Sequence, residues 1–149
     1  QCTTTCVSGG DAGANNFAAF RRHIVGSTRT RLYAFVHIAN TGLTPFPVAE
    51  LYNIDFAQVD ACARAIGENA DIVLGAKVRM SENVIAKHGL EPLKRSILAC
   101  EKAGTAGKVM CHIGGVETPA GHGDHCATYP ILRCHPHLHG GQSNTLDSL

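Results

Sequence analysis

Lys77 ends an apolar run of strand length, Asp71-Ile-Val-Leu-Gly-Ala-Lys77-Val-Arg-Met-Ser81, and Arg79 follows two residues on. A lysine in that place has two readings. Its stem lies on apolar neighbours with the ammonium in water, or burial suppresses the charge and frees a nucleophilic amine. A free amine can take up carbon dioxide. The resulting carbamate is anionic and can bridge two metal ions through its two oxygens. His112 sits in a second apolar run, Lys108-Val-Met-Cys-His-Ile113, last but one before Gly114-Gly115. It is either a satisfied core histidine or a metal ligand. His37 holds the equivalent place in residues 31–38, where packing or loop support is the expected role. His135, His137 and His139 alternate. On a strand they would share one face, which suits ligands; in a loose tail they would form only a weak metal-attracting tract.

These residues need elements to position them. Residues 3–9 are β-branched and apolar, then break into Gly9-Gly10-Asp11-Ala12-Gly13, a strand running into a glycine-rich loop. Asn15 or Asn16 is expected to cap the next helix, with Phe17, Phe20 and Ile24 on one face and Gly26 ending it. Residues 31–38 are nearly continuous in apolar side chains, as in a strand buried on both faces of a parallel sheet. A long loop, 39–54, carries Gly42, Pro45 and Pro47; loops of that length are often functional. Asp55 is expected to cap a helix with Phe56, Val59, Ala63 and Ile66 on one side. Residues 72–78 form the third strand. Residues 90–103 form a helix with Pro92 in its first turn, Leu93, Ile97 and Cys100 facing inward, and Gly104 at its end. Residues 108–113 form the fourth strand. Strand and helix alternate at roughly 35–40-residue spacing, the rhythm of a parallel α/β protein. Such folds build their sites at the C-terminal strand ends. Ser8 to Gly10, His37, Lys77 with Arg79, and His112 all fall there, and that shared location is the main functional signal. After Gly115 the pattern fails: a helix is due, but residues 117–136 are rich in His, Gly, Pro and Cys. His23, His88, His122 and His125 read as surface residues, and Cys6 and Cys111 as ordinary buried thiols.

Bulk composition bounds the rest. The chain has 149 residues, 44% hydrophobic and 17% charged, which fits one globular domain. A net charge of +1 without a basic stripe argues against a nucleic-acid or membrane-surface role. No apolar run approaches the roughly 20 residues of a membrane span. The seven cysteines are scattered and odd in number, with no Cys-x-x-Cys. Free thiols in a reducing, cytoplasmic setting are therefore expected. The chain starts Gln-Cys-Thr-Thr-Thr with neither Met nor a signal pattern, so its true N-terminus is expected upstream.

Several linked stretches resemble the amidohydrolase superfamily: Asp11-Ala-Gly-Ala-Asn-Asn-Phe17, Phe20-Arg-Arg22, Ser27-Thr-Arg-Thr-Arg31, Gly75-Ala-Lys-Val-Arg79, Gly89-Leu-Glu-Pro-Leu93, Val109-Met-Cys-His-Ile-Gly114 and His139-Gly-Gly141. They are most similar to its dihydroorotase-like N-acyl deacetylase branch. The resemblance covers nearly all of the chain to about Gly115, then a short piece near the end. It implies an α/β fold that is part of a (β/α)₈ TIM barrel, with about four to five βα units in a single partial domain, 1–149. It implies zinc at the C-terminal mouth, one or two ions bridged by a carboxylated Lys77, with His112 as a further ligand. Arg79 would be catalytic, steadying an oxyanion. The implied reaction is hydrolysis of a small-molecule amide, N-acyl or cyclic, by a hydroxide held between the metals. Deacetylation comes first and opening of a dihydroorotate-like ring second.

The chain departs from the family in three places. The paired histidines of the family's opening strand and the aspartate of its last strand have no counterpart, so this segment alone lacks its acid/base and is expected to be inactive. Ser8 stands where the family tends to carry Asp. Pro136 stands where the second metal-binding histidine is due, so His135 or His137 serves only after a one-residue slip, and proline damages a central strand. The pattern is lost in 121–138 and returns at His139, as a pair of compensating reading-frame errors would leave it; the coding DNA tests this. Half a barrel leaves open strand edges, so poor solubility or association, including a homo-oligomer, is expected of the segment alone. Two other readings stand beside the hydrolase: a catalytically incomplete remnant, and a small zinc-binding module built from His112 and the cluster from His135 to His139.

Overall fold

Four strands form one parallel sheet in the order in which the chain makes them. They are β1 (Thr5–Ser8), β2 (Arg31–His37), β3 (Val73–Ser81) and β4 (Val109–Gly114). Between them lie α1 (Phe17–His23), α2 (Val59–Glu68), the short α3 (Glu82–Ile85) and α4 (Glu91–Lys102). The computed structural model describes residues 3–45, 47–105 and 108–114. The expectations for His122, His125, His135, His137, His139 and the segment 121–138 lie outside the described residues. Sequential strand order means that every crossover steps the same way. A barrel advances like this, whereas a doubly wound sheet reverses its order part-way.

The two faces of the sheet differ. Ala34, Val36 and Ile38 of the second strand and its exit, Ala76, Val78 and Met80 of β3, and Val109 and Cys111 of β4 are all buried. This is the face covered by helices. Cys62, Ala63, Ala65 and Ile66 of α2 pack on it, as do Leu93, Ile97, Ala99 and Cys100 of α4. The alternate residues, Tyr33, Phe35, Lys77, Arg79, Met110 and His112, form the inner face, which is more open at its edges. Strand parity therefore fixes which residues enter the core and which point into the barrel.

Local chemistry explains α4. Pro92 sits in the first turn, where a missing N–H costs nothing, with Glu91 near the positive helix end and Lys102 near the negative one. Ser96 is fully buried and satisfies its hydroxyl by donating to the Pro92 carbonyl at 2.8 Å.

Three expectations are corrected. Asn16 precedes α1 but makes no side-chain cap; its Oδ1 accepts from the Gly13 N–H at 2.8 Å and so holds the glycine-rich loop instead. Asp55 does not cap α2: it lies in a 3₁₀ turn, Ile54–Phe56, whose cap is Asn53, and α2 begins after Gln58. Cys6 is exposed, because β1 pairs only with β2 and carries few neighbours; Cys111 is buried as expected. Cys6, Cys62 and Cys100 are free thiols. Among the described residues, no helix is long and apolar enough to cross a membrane.

Candidate functional site

Lys77 lies directly between His37 and Met110 in the strand register, and Arg79 lies opposite His112. Residues in register on parallel strands share a face. His37, Lys77, Arg79 and His112 therefore all belong to the inner face, toward the C-terminal ends of their strands. β3 runs three residues beyond the expected 78, because β4 pairs with it as far as Ser81. That places Arg79 on a strand and not in a loop.

Lys77 is 7% exposed. Burial pushes its amine below the ordinary lysine value; the Arg79 charge adds to this, against opposing pulls from Cys111, Asp11 and Glu50. The stem is held by the glycine-rich loop. Gly10 takes φ of 97°, and a Cβ there would fall on Cβ and Cγ of Lys77, so only glycine lets the loop lie against the lysine. The loop is fixed in turn. His37 N–H donates to the Ala12 carbonyl at 2.8 Å, Leu43 N–H to the Asp11 carbonyl at 3.0 Å, and Asn15 N–H to the Asn40 carbonyl at 2.9 Å. Ser8 donates its hydroxyl proton to Asp11 Oδ2 at 2.5 Å.

Beside Lys77 is a buried ionic cluster centred on Glu50, which is 1% exposed. Arg79 Nη2 donates to Glu50 Oε2 at 2.6 Å and to the Thr44 carbonyl at 3.4 Å. The Thr44 hydroxyl donates to the same Oε2 at 3.3 Å. His37 is fully buried, and its Nδ1 accepts from the Ala39 N–H at 3.1 Å. The ring proton therefore belongs on Nε2, which lies 3.3 Å from Glu50 Oε1. The two atoms are close, but neither makes a well-aligned hydrogen bond, which leaves both under-satisfied. Burial lowers the His37 pKa, so the ring is neutral, and Arg79 supplies the countercharge. Burial alone would raise the Glu50 carboxyl. The contact with His37, a bond from its own backbone N–H and the nearby positive charge outweigh burial and hold the pKa at about 2.

The pattern can be compared with known proteins. A deacetylase of Agrobacterium fabrum is 34% identical over 120 residues, covering 78% of this chain and 28% of that protein. A deacetylase of Brucella anthropi is 32% identical over the same shares of each. A crystal structure of a dihydroorotase matches 83% of the chain and 32% of its own, with a TM-score of 0.74 and 30% identity. A crystal structure of an adenine deaminase matches 76% and 30%, with a TM-score of 0.70 and 29% identity. The chain belongs to the amidohydrolase superfamily. The four strands among the described residues are part of that superfamily's TIM barrel, and the chain spans 28% of the length of these two curated relatives. No protein-family model matches it.

In this amidohydrolase-superfamily segment, the structure brings together Lys77, Arg79 and His37 and places His112 on the same face one strand over. His112 is solvent-exposed, not enclosed in a core, and it does have interaction partners. His37 supports the loop, as expected. His135 and His137 lie outside the described residues. Glu50 was missed. Its signal was present: it is the one charged residue in the loop 39–54, set between Ala49 and Leu51.

Proposed function

We propose that the full-length protein carrying this segment is a metal-dependent hydrolase of small amides, with N-acyl substrates first and cyclic amides second. The single observation behind this reading is a buried lysine with a lowered pKa, in register with a buried histidine, at the C-terminal strand ends of an amidohydrolase-superfamily barrel.

The implied cofactor is zinc, and the residues present fit it as part of a ligand set. Lys77, once carboxylated, offers two anionic oxygens, and His112 offers an imidazole from the neighbouring strand. Among the described residues there is no group of three or more His, Cys, Asp or Glu that could hold a metal ion. On this reading the remaining ligands would come from outside the described residues, with His135 and His137 as candidates. Bound zinc would polarise the amide carbonyl and lower the pKa of a coordinated water.

The chain's own residues do the rest. Burial keeps a share of Lys77 as free amine, the form that reacts with carbon dioxide. Gly10 packs on the stem, and Met110 stands beside Lys77 in the strand register. Arg79, two residues on and on the same face, puts a fixed positive charge where an amide oxygen gains negative charge. A small-molecule amide is the partner; the charge balance offers nothing to nucleic acid. The cytoplasm and a homo-oligomer remain the proposed setting and assembly.

Zinc analysis and turnover of the full-length protein test this reading. A panel of N-acetyl amino acids and dihydroorotate should show hydrolysis of at least one member, with one to two zinc ions per chain. A protein with a loosely held single zinc and no turnover of any member would instead be the zinc-binding module or the inactive remnant.

A further inference from the structure

Between Val48 and Tyr52 the loop that joins β2 to α2 turns inward for three residues. Ala49, Glu50 and Leu51 are 4%, 1% and 0% exposed, whereas Val48 and Tyr52 on either side are 64% and 68% exposed. Ala49 takes φ of 47°, a backbone conformation that a residue with a Cβ keeps only where its surroundings impose it. That local twist lies immediately before the carboxylate. Elsewhere the loop is tied by ordinary means: Arg95 Nη1 donates to the carbonyls of Ile54 and Ala57 at 2.9 and 3.2 Å, and the His88 ring meets the Tyr52 carbonyl at 3.0 Å. Leu51 already anchors the loop by burial. An apolar side chain at position 50 would anchor it too, without the desolvation cost of a carboxylate. The acid is therefore best explained by what it grips.

It grips Arg79. A free arginine side chain samples many rotamers and loses that freedom only against a firm partner. Glu50 is firm, because Arg79 on β3 and Thr44 in its own loop both donate to one of its oxygens, and the buried His37 ring of β2 lies against the other. We propose that Glu50 is a positioning residue, which holds the Arg79 guanidinium at the barrel mouth beside Lys77 so that it meets the developing oxyanion already in place. This rests on the hydrolase reading above.

A positioned charge acts on the transition state more than on the bound substrate. Glu50→Gln keeps the shape and removes the charge. In the full-length protein, with the best N-acetyl amino acid of the panel, it should lower kcat by roughly 10- to 100-fold and leave KM nearly unchanged. In an Arg79→Ala background the same change should lower kcat no further, because the group it positions is gone. A loss of equal size in both backgrounds, or an unchanged kcat in a folded Glu50→Gln protein, overturns the proposal. Should Glu50→Gln fail to fold, Thr44→Val replaces it, removing one hydroxyl donor to the same oxygen. A smaller drop that vanishes in the Arg79→Ala background supports the proposal, and an equal drop in both, or none, overturns it. Lys77→Met in the same assay separates the two ideas. If it keeps full turnover, the hydrolase reading itself fails; if it is inactive while Glu50→Gln is unaffected, only the positioning role fails.

Discussion

Lys77→Met in the full-length protein should abolish amide hydrolysis while leaving the fold intact. The two halves of that expectation have different causes. Lys77 is 7% exposed, and burial already disfavours its charge. Methionine has a similar stem and no charge to desolvate, so stability should hold or rise. On the proposed function, losing the carbamate would take away a ligand for the metal, and metal polarisation contributes several kcal/mol to such reactions. At about 1.4 kcal/mol per tenfold, that is a drop in kcat of roughly 10³-fold or more. Zinc content should fall in parallel. Lys77→Arg cannot form a carbamate and should be equally inactive. Steady-state kinetics with metal analysis and a melting curve on each variant checks all three expectations.

Glu50→Ala should be the most destabilising single change in the loop 39–54. It strands Arg79, whose side chain is 13% exposed, and His37, at 0%, without their shared carboxylate. Breaking a buried ion pair by removing one partner costs about 3–5 kcal/mol. The same cluster predicts an acid limb. The folded carboxyl titrates at about 2 against an ordinary 4.5. A depressed carboxylate contributes its stability in full above the unfolded value. That contribution, about 3 kcal/mol, is then lost as pH falls from about 4.5 toward 2. His37 pulls the same way at higher pH: its lowered pKa means the unfolded ring takes a proton first, so stability also declines below the ordinary 6.5. Denaturant titrations at pH 7, 5 and 3 should show both declines, and Glu50→Gln should remove the lower one.

The strands were legible because their chemistry is local. Residues 31–38 and 108–113 are apolar almost without interruption, and a strand enclosed on both faces needs that. Pro92 and Gly104 likewise mark the ends of α4, because proline and glycine act on their own backbone. Lys77, Arg79 and His112 stood out because a charge at the end of an apolar strand costs energy unless it has work to do. What was hidden depends on partners distant in sequence. Glu50 meets Arg79 across 29 residues; its place between Ala49 and Leu51 sets it apart in the loop, but the partner that turns it inward is remote in the chain. Asn16 and Asp55 have the right types for helix caps, yet the glycine-rich loop claims one and a 3₁₀ turn holds the other. Cys6 reads as buried by its apolar neighbours, but its exposure is set by the thin edge on which β1 lies.

One measurement reaches the centre of the account. The full-length protein, loaded with zinc in the presence of ¹³C-labelled carbon dioxide, should show a single ¹³C carbamate resonance that is absent from Lys77→Met. A zinc-loaded, active protein with no carbamate signal, or one whose signal survives Lys77→Met, would contradict it.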